Sequence, residues 1–579
     1  MLLYNPVLII IAPLLSALIN ALLGKSQGKI VFRLGLALHV VAVIVALQII
    51  YKVVTVGPQT IDLSFLLGSG SGLFNLVFYI DRLAAVMMVL ISIITATIFI
   101  FSMNYMREES DYPKFNVLLS FTTAILFCMV SSPNLLLIFI FWQLMSFMLY
   151  LLSYQYTDHA TMKGAFKTFM TLRFGDIAFL AGIALAYNIY GTLELKEIFS
   201  QVPGITTTYS LGPWFTIHAN TAITLLIFVG AMSKSAQFPL HIWVRDALYA
   251  PTPMHALLHA GIINAGGFLI NRLAPLYGSS PATLHVVLVI GLLTVIIGSS
   301  MMLVQNNIKR TLGYSTIGQM GFMILECGVG AFALAIFHLI AHGLFKATIF
   351  LNCGNIIHKA RLEPKFPYLT AKDKDPELES EEDGFSFLTW LTGFVLSLVL
   401  PLVILLVAHG ALRLPLMESQ GALVFLFFSW VTSSRAIMAI YKAQTDTSFS
   451  ISIKLSILMF ITLVVIVFVY LFAVESFTYF LYPDHNEVAA YFHAASLPSF
   501  VFDTLIVAVL FYVVFKWSLN YLRAHGRKAK WPSWVSEFRA KLYILLVNKT
   551  YTDNIYAWLH HRIIRFANLI EKRYLRFLP

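Results

Sequence analysis

The stretch GAMSKSAQFPLHIWVRDALYAPTPMHALLHA, residues 230–260, places a lysine, a proline and two histidines in strongly apolar sequence. Lys234 lies within a hydrophobic segment that is long enough to cross a bilayer, and Pro239 follows it. Because proline removes a backbone donor and clashes with the preceding turn, we predict a helix that breaks at membrane depth. Broken helices expose backbone groups that can hold water or ions.

Composition indicates a polytopic membrane protein. The 579 residues are 59% hydrophobic and 12% charged, whereas soluble proteins carry about 25% charged residues. Apolar runs recur from end to end, which argues against a soluble domain with a single anchor. The net charge of +11 is explained by basic loops and a basic C-terminal tail, so we do not predict nucleic-acid binding. The three cysteines have neither metal nor redox spacing.

The apolar runs predict an all-α protein with about fifteen transmembrane helices of roughly 20 residues each. The predicted spans are 5–23, 31–53, 82–104, 116–132, 134–154, 165–189, 220–243, 252–274, 283–304, 308–329, 331–357, 386–408, 420–442, 451–474 and 499–521. After residue 522 basic and apolar residues alternate, which is typical of amphipathic helices on a membrane surface.

Charges in the connecting loops predict the orientation. Connections after odd-numbered spans are rich in Lys and Arg, and those after even-numbered spans are poor, with Lys196 and Arg413 the main exceptions. The basic loop residues are Lys25, Lys29, Arg33, Arg107, Lys114, Lys163, Arg245, Lys309, Arg310, Lys359, Arg361 and Lys442. The positive-inside rule then places Met1 outside and the C-terminus in the cytoplasm. In this orientation the mixed-charge stretch 365–384 is predicted to be a cytoplasmic loop. It is either a disordered connector or a docking site for a cytoplasmic partner.

Ionisable residues inside the spans are candidate functional residues, because charges in hydrocarbon are costly. His255 and His259 are four residues apart and share a helix face. The spacing permits a zinc pair, but no Glu or Cys accompanies the two histidines. We therefore favour a proton relay through His259, which lies deeper in the span.

A second basic cluster forms one stripe of the eleventh predicted span. Its members are His338, His342 and Lys346. The tenth span begins with Lys309 and Arg310 near its cytoplasmic edge, where they could serve only orientation. Its polar residues Tyr314, Ser315, Thr316 and Gln319 could hold ordered water. A line of Lys and His residues at membrane depth suits a hydrated proton path better than a pocket for an organic solute.

Buried acids are few. Asp176 is the best buried carboxylate, and Arg173 lies one turn before it. Asp176 therefore either serves the proton path or forms a local structural pair with Arg173. Glu326, near the outer end of the tenth span, is a weaker candidate.

These motifs resemble one known family. Residues 230–260 are similar to the GKSAQ-P-L…W-L-x-D-A…G-P-T-P-x-x-A-L-I-H-A signature of the antiporter-like subunits of respiratory complex I, Mrp-type cation/proton antiporters and membrane-bound hydrogenases. The other runs that fit are 165–179, 307–323, 337–351 and the tail 549–564. The resemblance is good over about residues 75–360. It implies two inverted five-helix repeats with two broken helices.

This fold divides the chain into five parts. They are N-terminal transmembrane helices 1–115, a first antiporter-like repeat 116–275, a second repeat 276–443 with a cytoplasmic loop 360–385, C-terminal transmembrane helices 444–521, and a basic amphipathic tail 522–579 on the cytoplasmic side.

The resemblance also implies a role for each residue of the proton path. Lys234 matches the lysine of the first broken helix, His259 the connecting histidine, and Lys309 the cytoplasmic-side lysine. Asp176 matches a frequent aspartate of the sixth span. The central His–His–Lys series matches His338, His342 and Lys346.

Two positions depart from the family pattern. The family usually has a glutamate in the fifth span that pairs with the lysine of span seven, and here Gln143 follows Trp142 in its place. We expect this amide to hydrogen-bond Lys234 without neutralising it. In the second broken helix the usual charge beside Pro401 is missing, and His409 is the titratable substitute.

The departures indicate a divergent, proton-conducting member that serves a partner. The two-component inorganic-carbon transporters are such a setting, because they pair an antiporter-like membrane subunit with a cytoplasmic, zinc-containing, carbonic-anhydrase-like protein. We therefore expect a hetero-oligomeric complex in the plasma membrane, and neither a catalytic residue nor a cofactor or metal in this chain. The alternatives are a complex I or hydrogenase subunit, a cation/proton antiporter, and a scaffold whose proton path is inactive.

Gln143→Glu tests the first departure. A carboxylate here adds an opposite charge that stabilises the protonated lysine, so we expect slower proton transport. Proton flux in sealed vesicles measures it, with Gln143→Met as the uncharged control. Unchanged or faster flux in the glutamate variant would count against this interpretation.

Overall fold

Helices dominate the computed structural model. It describes residues 5–24, 28–64, 76–106, 112–154, 159–210, 216–246, 251–305, 307–362, 395, 400, 403–404, 406–407, 449–497, 533–548, 558, 561–562 and 564–571. Within these ranges nine helices are long and apolar enough to cross a bilayer, and two shorter apolar helices accompany them. Most of the predicted span 386–408, the spans 420–442 and 499–521, and His409 lie outside the described residues.

The helix bounds follow the predicted spans closely. In chain order the helices are α1 (Leu8–Leu23), α2 (Gly28–Thr55), α3 (Arg82–Tyr105), α4 (Tyr112–Ser131), α5 (Leu135–Ser153), α6 (His159–Tyr190), α7 (Leu195–Gln201), α8 (Ala219–Lys234), α9 (Trp243–Asp246), α10 (Thr252–Ala260), α11 (Ala265–Arg272), α12 (Ala274–Gly278), α13 (Pro281–Leu303), α14 (Ile308–Gly328), α15 (Phe332–Leu362), α16 (Phe449–Leu471), α17 (Thr478–Leu481), α18 (His485–Ala494) and α19 (Ser533–Val547). A π-helix, Phe472–Phe477, joins α16 to α17.

Two short antiparallel hairpins add to the predicted all-helical fold. Strands β1 (Gln59–Asp62) and β2 (Val77–Ile80) pair before α3, and β3 (Thr208–Ser210) pairs with β4 (Thr216–His218) before α8. The stretches are too short and too mixed in polarity to stand out from the connecting loops in the sequence.

The helix that carries Lys234 breaks as predicted, but at the lysine rather than at the proline. Helix α8 ends at Lys234, and Ala236 takes a left-handed backbone conformation with φ of 49°. The Phe238–Pro239 peptide bond is cis, and helical structure resumes at Trp243. The break therefore spans the SAQFPLHI segment.

A second break, which the sequence did not predict, interrupts the span that was expected to be continuous over 252–274. Helix α10 ends before Gly261, and a 3₁₀ turn covers Ile262–Asn264. The Ser235 hydroxyl donates to the Ile263 carbonyl at 2.6 Å and accepts from the Gly266 N–H at 3.1 Å. The Ser235 side chain at the first break thus satisfies two backbone groups at the second break, as buried polar atoms require.

Helices α13 and α14 approach each other most closely through glycines. A Cβ atom added at Gly298 would lie 2.7 Å from the Gly318 nitrogen, and one at Gly321 would lie 2.7 Å from the Val295 nitrogen. Small residues allow such close backbone packing between membrane helices. This packing sets the position of α14, which contributes to the candidate site.

Gly298→Val is expected to destabilise the protein by about 1–3 kcal/mol, because the added side chain forces α13 and α14 apart. The thermal midpoint of the purified protein in detergent measures the loss. Gly204→Ala is the control, since an added Cβ meets no heavy atom within 4 Å there. Equal midpoints for Gly298→Val and the native protein would contradict the packing argument.

Candidate proton-path site

Lys234 is fully buried at the C-terminal end of α8. Its ammonium donates to the Ser146 hydroxyl, and it lies 3.4 Å from the Trp142 carbonyl oxygen. The ammonium also lies 4.9 Å from the centroid of the Trp142 ring, within range of a cation–π interaction. Helix α5 therefore supplies the immediate partners of the buried charge, and all of them are uncharged.

Asp176 provides a negative charge on the far side of Trp142. The Trp142 indole N–H donates to Asp176 Oδ1 at 2.8 Å, and Arg173 lies 3.2 Å from Asp176 Oδ2. Asp176 is only 3% exposed, and its carboxylate acts electrostatically on Lys234. The sequence left two interpretations of Asp176 open: a role in the proton path, or a local structural pair with Arg173. The two are compatible, because the pair with Arg173 also lies in the surroundings of Lys234.

Gln143 corrects the expectation that this amide bonds Lys234. Its Oε1 accepts a hydrogen bond from Arg173, while Lys234 bonds Ser146 and Trp142. Trp142 and Ser146 are four residues apart and share one helix face, whereas Gln143 lies about 100° around the helix from Trp142. Gln143 therefore reaches Lys234 only through Arg173 and Asp176.

The histidines of α10 lie fully buried next to the second basic cluster. The ring centroids of His255 and His259 are 6.4 Å apart, and His259 stacks on Phe350 with centroids 4.3 Å apart. Helix α10 packs against α15, so His259 comes within electrostatic range of Lys346 and His342. The structure thus brings the predicted relay histidine to the predicted His–His–Lys series.

Helices α14 and α15 face each other with a ladder of polar contacts. On α14, Ser315 accepts from the Lys346 ammonium at 2.9 Å, and Gln319 Oε1 lies 2.9 Å from His338 Nε2. At the far end of the ladder Glu326 lies 3.0 Å from His338 Nδ1. Hydrogen-bond acceptors on α14 therefore lie opposite the basic side chains Lys346 and His338 on α15.

Two buried imidazoles have no protein hydrogen-bond partner on either nitrogen within the part of the chain that the structure describes. They are His259, which is 0% exposed, and His342, which is 5% exposed. Buried nitrogens of this kind usually bond ordered water. His342 lies between His338 and Lys346 on α15, and His259 lies within electrostatic range of His342 and Lys346.

Lys309 lies apart from these contacts, in the first turn of α14. Its backbone N–H bonds the Asn307 side chain that caps the helix, and its ammonium acts electrostatically on Cys353. The structure does not bring Lys309 into contact with the His–His–Lys series.

Sequence reasoning missed the role of Ser146 and underrated Glu326. Ser146 is a small polar residue in the apolar run of α5, four residues after Trp142, and that spacing was the available signal. Glu326 becomes a strong candidate because the packing of α14 against α15 places its carboxylate beside His338, which the sequence alone does not show.

Two family models match the chain. One is described as NADH:quinone oxidoreductase/Mrp antiporter, transmembrane, and covers residues 132–371. The other is described as NADH-ubiquinone oxidoreductase (complex I), chain 5 N-terminus, and covers residues 67–116. A relative that is similar over nearly the whole chain is the probable inorganic carbon transporter subunit DabB1 of Halothiobacillus neapolitanus, 38% identical over 562 residues, or 96% of this chain and 97% of that protein.

The chain belongs to the antiporter-like membrane subunit family. It is a divergent, multi-pass, proton-conducting member, and the resemblance found in the sequence is confirmed. The chloroplastic NAD(P)H-quinone oxidoreductase subunit 5 of Nymphaea alba is also 38% identical, but only over 301 residues, or 52% of this chain and 40% of that protein.

Solved structures support the fold of this antiporter-like subunit. The Mrp complex of Dietzia sp. matches with a TM-score of 0.59 at 19% identity, over 97% of this chain and 60% of that chain. An archaeal membrane-bound sulfane sulfur reductase matches with a TM-score of 0.53 at 20% identity, over 61% of this chain and 57% of that chain. The relatives and structural neighbours are subunits of membrane complexes.

Ser146→Ala is expected to slow proton flux by about tenfold or more. The lost hydrogen bond contributes about 1.5–3 kcal/mol to the protonated lysine, so its loss impairs proton uptake by Lys234, whereas a direct carboxylate would impair proton release. Flux is measured in sealed vesicles that contain the assembled complex. Ser153→Ala is the matched control, since Ser153 is buried on the same helix and donates only to the Leu149 carbonyl at 2.7 Å. Equal rates for the two variants would contradict a role for Ser146 at Lys234.

Proposed function

We propose that this chain is the proton-conducting subunit of a two-component complex that uses the proton gradient to drive inorganic carbon uptake. The similarity to DabB1 over 96% of the chain and 97% of that protein carries the proposal. The quinone oxidoreductase subunit matches only about half of the chain, so it supports the shared membrane core alone.

The proton path begins in this proposal at Lys234 and runs through His259 to Lys346, His342 and His338. Four of these groups are buried and His338 is partly buried, and the packing of α10 against α15 brings His259 to the His–His–Lys series. Both observations support the assignment, because ionisable residues in membrane spans generally mark ion or proton pathways. Ordered water at His259 and His342 would link the groups into a chain of hydrogen bonds. Asp176, Gln143 and Lys309 would tune the charge around the path, and His409 would replace the charge of the second broken helix.

The orientation and the partner are part of the same proposal. The chain would lie in the plasma membrane with Met1 outside and the C-terminus in the cytoplasm, as loop charge indicates. The five-part division from residue 1 to residue 579 would then place the loop 360–385 and the tail 522–579 on the cytoplasmic side, where they could dock a zinc-containing partner. A complex I or hydrogenase relative would instead carry several membrane partners and iron–sulfur clusters.

Lys234→Ala and Lys346→Ala test the function. We expect both variants to assemble with the partner and to lose the coupled process, because each removes a buried proton carrier. A gentle detergent pull-down with partner identification and metal analysis establishes assembly, and proton flux with carbon uptake establishes coupling. Lys196→Ala is the control, since the Lys196 side chain is exposed on α7, outside the loop 360–385 and the tail 522–579.

Normal coupling in both buried-lysine variants would overturn the proposal and favour a scaffold. A partner set with iron–sulfur clusters would return the chain to the complex I or hydrogenase setting. Flux that requires sodium would favour a cation/proton antiporter.

A further inference from the structure

We infer that Glu326 is the terminal proton-transfer group of the path, exchanging protons between His338 and the medium at the outer end of α14. The inference rests on the proposed function and names a residue that the family pattern did not supply. It starts from the contact between Glu326 and His338 at the end of the polar ladder between α14 and α15.

The position of Glu326 suits an end of the path. Glu326 lies two residues before the end of α14, and its side chain is 12% exposed. In the proposed orientation the connection between α14 and α15 faces outside. Lys346 lies eight residues, or about 12 Å, along α15 from His338, toward the opposite side of the bilayer.

The contacts of His338 suit proton transfer to Glu326. Its Nδ1 lies 3.0 Å and 3.2 Å from the two Glu326 oxygens, and its Nε2 lies 2.9 Å from Gln319 Oε1. Both ring nitrogens therefore face acceptors, which is the arrangement of an imidazolium that donates twice. When Nδ1 gives its proton to Glu326, the products are a neutral imidazole and a carboxylic acid, and the acid then releases the proton to outside water.

The contacts along α14 give the transfer a direction. Ser315 and Gln319 are neutral and contact Lys346 and His338, whereas Glu326 is the carboxylate in the ladder. A carboxylate at one end attracts positive charge toward that end. The ladder thus leads from the buried lysine to an acid at the outer boundary.

The test compares Glu326→Gln with Glu475→Gln in sealed vesicles that contain the full complex. Glu475 lies in the π-helix that packs on α15, but its side chain is exposed, so it controls for the loss of an acid at this end. We expect Glu326→Gln to lower proton flux by roughly a hundredfold, as loss of a positioned proton-transfer group does. We expect Glu475→Gln to leave flux unchanged.

Native flux in Glu326→Gln, or an equal loss in Glu475→Gln, would overturn the inference. If Glu326→Gln does not assemble, Glu326→Asp decides, because it keeps the carboxylate: measurable flux supports the inference, and an assembled variant without flux overturns it. Lys346→Ala in parallel separates the two proposals. If Lys346→Ala abolishes flux and Glu326→Gln does not, this inference alone fails; if Lys346→Ala conducts normally, the proposed function fails.

Discussion

The buried ammonium of Lys234 is the constraint on which the rest of the site depends. A charge at membrane depth is tolerated only with hydrogen bonds and an opposing charge nearby. Here α5 supplies the hydrogen bonds through Ser146 and Trp142, and α6 supplies the opposing charge through Asp176. Trp142 joins the two, because its ring faces the ammonium while its N–H holds the carboxylate.

This arrangement gives Lys234 an indirect counter-charge in place of a direct ion pair. The Asp176 carboxylate is shared with Arg173, which also bonds Gln143, so the negative charge near Lys234 is partly neutralised. A lysine held mainly by neutral acceptors releases its proton more easily than one in a direct ion pair. The break after Lys234 also places Ser235 against the turn that follows α10, since the Ser235 hydroxyl donates to the Ile263 carbonyl at 2.6 Å.

The sequence was sufficient for the features that depend on composition and local chemistry. Lys234 and Pro239 predicted the broken helix, because a proline within an apolar run interrupts the helix and a charge there is costly in hydrocarbon. The break at Gly261 carried no proline and depends on Ser235 of another segment. The partner of the Gln143 side chain could not be predicted either. The packing of α6 against α5 decides which face of α5 contacts Lys234.

The most direct test of this account is proton flux through the purified complex in liposomes, with a pH gradient imposed across the membrane and the electrical potential clamped. The complex is expected to dissipate the gradient at a rate that does not depend on sodium. A rate equal to that of protein-free liposomes, or a rate that requires sodium, would contradict it.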